Sequence, residues 1–285
     1  MKFRRYCGVD DFKTDVLDIL LKEEDINNLP ISILLDSKME KADDWLLVTI
    51  TDEHEEIVLV AVCVKPFNIL LYEPFGKQNE ASVGFLSSEL KRIGFVPPGV
   101  LAVTELSRRF ADVYCESTGF YTHMTMVLMR LDELSDYKKA PGFCRFLIED
   151  DLDYTPSWDY EFCIDCGFQA YTLAENEERI KTRLGKDTHF IWIDDQPVSQ
   201  AVFGRNTPNG AVINWVYTPP EFRGRGYAKS IVAEVSRTLL DRGKDFCCLF
   251  ADVNNPISCG VYHKLGYYDV KEFEEIKFDI KRGQE

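Results

Sequence analysis

No run in this sequence approaches the roughly 18 consecutive apolar residues of a membrane span. Its opening, MKFRRYCGVDDFKTD, turns polar at once, without the apolar core of a secretory signal. Positive charge is also scarce. Lys and Arg number 33 against 48 Asp and Glu, a net charge of −15. A field of that sign repels a nucleic-acid backbone, so no nucleic-acid partner is expected, although a local basic patch can still hold a small anion. Metal-ligand spacing is missing as well. The nine cysteines are scattered and odd in number. Cys163 and Cys166 form a lone CxxC, without the second pair of ligands that a structural zinc site requires. These absences predict reduced thiols, a cytoplasmic location, no membrane association and no metal.

What is present is enough for a packed core. Hydrophobic residues make up 45% and aromatic residues 13% of the 285, which argues against disorder and allows two domains. The best boundary is SDYKKAPGF, Ser135–Phe143, where charge, Pro141 and Gly142 interrupt the periodicity. It divides the chain into residues 1–140 and 141–285.

In the second part, Phe143–Ile148 reads as a strand, and Tyr154–Phe168 and Leu173–Leu184 as helices, the latter ended by Gly185. A meander follows. THFIWI turns at Asp194–Gln196 into PVSQAVFG, which passes through NTPNG into AVINWVY, with Asn209-Gly210 as a hairpin signal. A helix over Gly226–Arg242 carries apolar residues at helical spacing and is closed by Gly243. Next come a buried strand, Asp245–Asp252, a short helix, Pro256–Leu265, and a last strand, Phe273–Ile280. The first part repeats this order: Asp44–Ile50 and Ile57–Val64 as meander, Ala81–Gly94 as the long helix, Pro98–Val103 as the buried strand and Glu105–Tyr121 as the following helix. Gly119-Phe120 recurs as Gly266-Tyr267. A tandem duplication is the expectation.

Between the meander and the long helix stands VYTPPEFRGRGYAKS, Val216–Ser230, built to cradle an anion. A Walker loop needs GxxxxGK[ST]. Lys229-Ser230 fill its last places, but Arg223 and Ala228 stand where glycines are required. A dinucleotide fingerprint fits Gly224 and Gly226 and fails at Lys229. The helix start remains, with unsatisfied N–H donors and a positive dipole end suited to a diphosphate. Gly224 and Gly226 permit close backbone approach, while Arg223, Arg225 and Lys229 supply charge.

Arg223, Gly226 and Ala228 meet the pattern [Gln/Arg]-x-x-Gly-x-[Gly/Ala], and Asn255, Ser258, Tyr262, Leu265 and Gly266 fall in register downstream in NNPISCGVYHKLGYY. Over residues 143–280 the chain thereby resembles the GNAT superfamily of N-acetyltransferases. The first part resembles that fold faintly and has EPFGKQNEAS in place of the loop. The resemblance implies an α/β fold with a mixed sheet: an acyl-CoA-binding GNAT domain at 141–285 and a degenerate GNAT-like domain at 1–140. It implies acetyl-CoA as co-substrate, bound by Val216, Tyr217, Thr218, Arg223, Gly224, Arg225, Gly226, Tyr227, Ala228, Lys229, Asn255 and Ser258.

In such a fold the strands AVINWVY and DFCCLFAD splay, the pantetheine arm lies in the gap, and a backbone N–H near Val216–Thr218 polarises the thioester carbonyl. Tyr262 falls on the tyrosine that protonates the departing thiolate. The implied function is transfer of an acetyl group to a primary amine, on a small molecule or a peptide, by direct attack in a ternary complex. The alternative is an acyl-CoA-binding or interaction module without activity. The amine's base is not singled out: Asn214 and Tyr217 stand where many members carry a carboxylate. Asp252 is the leading carboxylate, at the risk of merely capping the loop before Pro256. His189 and His263 are weaker candidates.

Overall fold

The computed structural model describes residues 1–36, 45–74, 79–116 and 118–279. Parts of four expected elements, at Asp44, residues 75–78 of EPFGKQNEAS, Ser117 and Ile280, lie outside the described residues. The chain forms two compact units. The first takes Met1–Leu128, Ala251–Asn255 and Val270–Glu285, and the second Met129–Phe250 and Pro256–Asp269.

The first unit opens with β1 (Lys2–Arg5), α1 (Val9–Leu20) and α2 (Asn28–Leu35). β2 (Leu46–Thr51), β3 (Ile57–Cys63) and β4 (Ile69–Tyr72) form an antiparallel meander; then come α3 (Glu80–Arg92), β5 (Gly99–Val103) and α4 (Thr104–Tyr114). β5 lies parallel to β4. Both sheet faces are covered, which is why β2 and β3 read as continuous apolar runs rather than alternating ones. Leu46, Val48 and Ile50 pack with α3 and α4. Leu47, Val60 and Val62 pack on the other face with Phe12, Val16 and Ile31 of α1 and α2.

β4 is short and follows Lys65-Pro66 and Phe67, which hid it from the sequence reading. The helix expected over Glu105–Tyr121 stops at Tyr114, and Phe120 and Tyr121 begin β6 (Phe120–Leu131) instead.

The second unit repeats the order. β7 (Phe143–Phe146) is followed by α5 (Thr155–Asp165) and α6 (Leu173–Lys181). β8 (His189–Asp194), β9 (Gln196–Gly204) and β10 (Gly210–Tyr217) form the meander; α7 (Tyr227–Asp241), β11 (Phe246–Asp252) and α8 (Pro256–His263) follow. β11 is parallel to β10. Asp195 makes the β8–β9 turn with φ 60°. Gly210 matters for closeness rather than for turn geometry: a Cβ there would sit 2.3 Å from the Phe246 ring.

The last strand, β12 (Tyr268–Phe278), begins earlier than expected and serves the first unit. It runs antiparallel to β5, with Phe273 opposite Val103 and Lys277 opposite Gly99. A Cβ on Gly99 would come within 2.2 Å of the Ile276 carbonyl oxygen, so only glycine fits. Ile276 and Phe278 enter the core beside Leu106 and Phe110. The fully buried Glu274 carboxylate receives Arg108 Nε at 2.6 Å and Thr122 Oγ1 at 2.5 Å.

Ile276→Ala is therefore expected to destabilise the first unit by about 2–5 kcal/mol, the range for emptying a buried aliphatic site. Urea unfolding measures this, and amide exchange in β2–β5 should rise with it. An unchanged midpoint would mean that β12 adds nothing to that core.

Candidate functional site

The site begins where β10 and β11 part. Their parallel ladder holds Gly210–Val212 against Phe246–Cys248 and goes no further, although β10 runs on to Tyr217 and β11 to Asp252. The gap expected from the resemblance is thus present as a broken ladder. On its other edge β10 keeps pairing with β9, but the register slips between Asn214 and Tyr217. Asn214 lies opposite Val202 and Tyr217 opposite Gln200, so two residues, Trp215 and Val216, bulge opposite Ala201. Trp215 adopts φ 52°. For a bulky L-residue such a conformation costs about 1–3 kcal/mol and persists only where its surroundings impose it.

The chain then passes Thr218, whose hydroxyl meets Ser199 Oγ at 2.8 Å, and a 3₁₀ turn, Pro220–Phe222. Gly224 and Gly226 take φ 78° and 85°. Gly226 caps α7 without any side-chain hydrogen bond, and the helix's first backbone bond runs from Ser230 N–H to the Gly226 carbonyl. The N–H groups ahead of Ser230 therefore point from the helix end without intrahelical partners. A Cβ on Gly224 would meet nothing within 4 Å, and one on Gly226 only the Ala140 methyl at 3.9 Å, so both glycines face open space. An uncapped helix start of this kind can hold an anion.

Its cations are not equally available. Arg223 is tied to Asp165 at 2.6 Å and to the Thr218 carbonyl at 2.9 Å, and Arg225 donates to the Glu221 carbonyl. Lys229 makes no ion pair among the described residues. Tyr227 is buried and donates its hydroxyl to Asp194; Ala228 follows it in the first turn of α7.

Ser258 and Tyr262 lie one turn apart on α8. Tyr262 is 8% exposed; its carbonyl accepts the Leu265 and Tyr267 N–H groups, and its hydroxyl makes no hydrogen bond among the described residues. Burial pushes its phenol up, with the Cys166 and Cys259 thiols adding to the shift, so it keeps its proton at neutral pH. Asp252 and Asn255 belong to the segment counted with the first unit. The Asp252 carboxylate accepts the Asn254 N–H at 2.8 Å and its carbonyl accepts the Asn255 N–H, a turn-capping arrangement. His263 pairs with Asp269 at the surface.

Against β10 lie groups that sequence reasoning passed over. Asp159 on α5 is fully buried, accepts from Gln200 Nε2 at 2.8 Å, and faces Arg183 Nη1 at 3.5 Å. Burial raises the Asp159 carboxyl against the pull of Arg183 and Gln200. Gln200 also meets His189 Nε2 at 3.2 Å. The Trp215 ring is held by Phe162 at 4.9 Å, with the Arg179 and Arg183 guanidiniums 5.3 and 5.6 Å from its centroid. One Nη of Arg179 is buried without a hydrogen-bond partner, so rings hold that guanidinium, Tyr171 at 4.1 Å included.

A cleft of about 550 Å³ opens along α5 and the end of β10. Its lining includes Asp153, Glu161, Asp165 and Glu221 together with Trp158 and Tyr217, and no Lys or Arg. Tyr217 donates to Glu161 at 2.5 Å.

Residues 193–275 match the family model described as FR47-like protein. No curated protein matches the sequence. Solved structures do. A GCN5-related N-acetyltransferase from Sphaerobacter thermophilus aligns over 97% of this chain and 95% of its own, at 15% identity and TM-score 0.67. An acetyltransferase of the GNAT family from Colwellia psychrerythraea aligns over 98% and 99%, at 10% identity and TM-score 0.59. A tandem GNAT protein from the clavulanic acid biosynthesis pathway aligns over 97% and 98%, at 10% identity and TM-score 0.60. At such identities the likeness is one of fold, and it spans both units. The chain has the fold of these GNAT structures, and its element order recurs in both units. No described helix is long and apolar enough to cross a membrane.

The setting of His189 gives a pH test. Burial, aided by Arg183, lowers its ring from the ordinary 6.5 to about 3, so it stays neutral and is ill suited to take a proton in catalysis. Between pH 3 and 6.5 the unfolded chain binds a proton that the folded one refuses. The stability contributed by the neutral ring is whole above pH 6.5 and lost as pH falls, by about 1.4 kcal/mol per unit. Unfolding midpoints measured from pH 7.5 to 4.5 should therefore fall less steeply for His189→Gln than for the wild type. Equal slopes would mean that the ring is protonated in the fold.

Proposed function

We propose that the protein is an acetyl-CoA-dependent N-acetyltransferase whose chemistry resides in the second unit. The observation that carries this reading is the open N–H cradle of α7, capped by Gly226 at φ 85°, beside strands that separate after Val212. The diphosphate of acetyl-CoA binds the N–H groups ahead of Ser230, with Lys229 adding charge. The pantetheine arm pairs with β10 near Val216–Thr218 like an added strand. Ser258 and Asn255 steady it.

A backbone N–H of the bulged segment polarises the thioester carbonyl and holds the oxyanion. The acceptor nitrogen attacks that carbon; a C–N bond forms, the C–S bond breaks, and the sulfur takes the Tyr262 proton. The proton leaving nitrogen goes to a carboxylate. Asp252 stays with its turn, so we assign this role to Glu161, which lines the cleft beside Tyr217. The cleft's four carboxylates and aromatic walls suit an acceptor that carries positive charge, since ring faces attract cations as carboxylates do. The acceptor is accordingly a primary amine, free or on a peptide.

Gly226→Trp is expected to weaken acetyl-CoA binding by at least 100-fold in calorimetric titration, because an indole fills the cradle and φ 85° strains any L-residue. Wild-type affinity in this variant would overturn the cofactor site. Tyr262→Phe removes only a proton donor. Thiol release should fall about 10²–10⁴-fold with acetyl-CoA affinity unchanged. Full turnover would reduce Tyr262 to packing. If acetyl-CoA binds and no amine releases thiol, the chain is an acyl-CoA-binding module.

A further inference from the structure

Asp159 and Gln200, both buried, and Arg183 beside β10 are not used by the reaction just described, yet they are linked to one another and to the bulge. Arg183 lies over the Trp215 ring and pairs with Asp159. Asp159 accepts from the Gln200 side chain, and the Gln200 backbone is opposite Tyr217, the residue that ends the bulge. From α5, Phe162 packs on Trp215 and Glu161 receives the Tyr217 hydroxyl. Both ends of the bulge are thus gripped by the same helix, with Val216 between them. A left-handed φ at a tryptophan is sustained by contacts of this kind, and bulges recur where a strand must re-aim its groups. Burying Asp159 and Arg183 is a poor way to gain stability, because desolvation offsets the attraction between them. It is a good way to fix geometry.

We propose that Trp215, with the buried Asp159–Arg183 pair behind it, is a positioning device that holds the β10 bulge so that its backbone N–H stays aimed at the acyl carbonyl. The proposal rests on the acetyl-transfer reading above. The three side chains touch neither substrate nor the reacting atoms; they act through the backbone of Trp215–Tyr217. Displacements of about 1 Å from a productive geometry can cost on the order of 10²-fold in rate. The device therefore shows in turnover rather than in binding of the diphosphate, which is held by α7.

The test compares the full-length wild type with Trp215→Phe, Trp215→Gly and Asp159→Asn, by three readouts. Glycine accepts φ 52° without strain but leaves Phe162 and the guanidiniums with nothing to grip; phenylalanine keeps a ring in place. Trp215→Gly and Asp159→Asn are expected to lower kcat at least 10-fold while the acetyl-CoA dissociation constant moves less than 3-fold. Trp215→Phe should recover most of the loss. In protein without ligand, amide exchange in the peptide covering Val216 and Tyr217 should rise at least 10-fold in Trp215→Gly, with exchange in α7 unchanged.

If kcat holds while acetyl-CoA binding weakens, the ring is part of the binding wall and the proposal fails. If all three variants merely lower the melting temperature, with kcat intact at 20 °C, these links are structural packing and the proposal fails. If the wild type itself releases no thiol with any amine, the acetyl-transfer reading falls. Exchange at Val216 and Tyr217 then decides alone whether Trp215 holds the bulge: unchanged exchange overturns the proposal, and a rise supports it.

Discussion

Everything at the site follows from β10 losing its partner after Val212. A strand in mid-sheet has donors and acceptors on both edges, and an edge without a neighbour must find other partners or face solvent. Here β11 buries Cys247 and Cys248, while β10 keeps its pairing with β9 across the Asn214–Tyr217 bulge. The freed edge of β10 and the start of α7 each leave backbone donors without a partner in strand or helix. The sequence requirement is modest: residues that tolerate a bulge, two glycines at positive φ, and a helix with no side-chain cap.

That explains which parts were legible in the residues. The loop was readable because Gly224 and Gly226 each meet a steric demand that other residues meet poorly, and the repeated order of meander, helix, strand and helix was readable from periodicity. The bulge was not. Trp215 carries no local signal for φ 52°; the conformation is imposed by Phe162, Arg179 and Arg183, which are 53, 36 and 32 positions away in the chain. Asp159, Glu161 and Asp165 carry no signal either, since nothing in TPSWDYEFCID distinguishes a carboxylate turned toward Gln200 from one turned to water. The place of β12 was hidden for a related reason. Its alternation fixes a strand, but strand pairing is chosen by complementary shape, here Gly99 beneath the Ile276 carbonyl, and not by nearness in sequence.

The first unit gives the same element order a different helix start. Its long helix, α3, occupies the place of α7 in the element order, yet its N-terminus is closed by its own residues. Asn79 caps it by accepting the Ser82 N–H at 3.2 Å, and Glu73 accepts the Asn79 N–H at 3.3 Å. Glu73 is itself neutralised by Arg109. Side chains of the chain itself thus take up donors at the start of α3, whereas α7 starts without a side-chain cap.

The two helix starts are two solutions of one electrostatic problem. Four orphan N–H groups and half a positive charge call for an anion, which either belongs to the chain or is borrowed. A helix start that supplies its own anion favours folding and has little left to offer a ligand. One that supplies none, such as Gly226, gives up only a few tenths of a kcal/mol against a polar cap and keeps its donors for something else. This contrast within one chain, between Asn79 with Glu73 and Gly226 with nothing, makes the missing cap of α7 an argument for a bound anion and not a flaw of the fold.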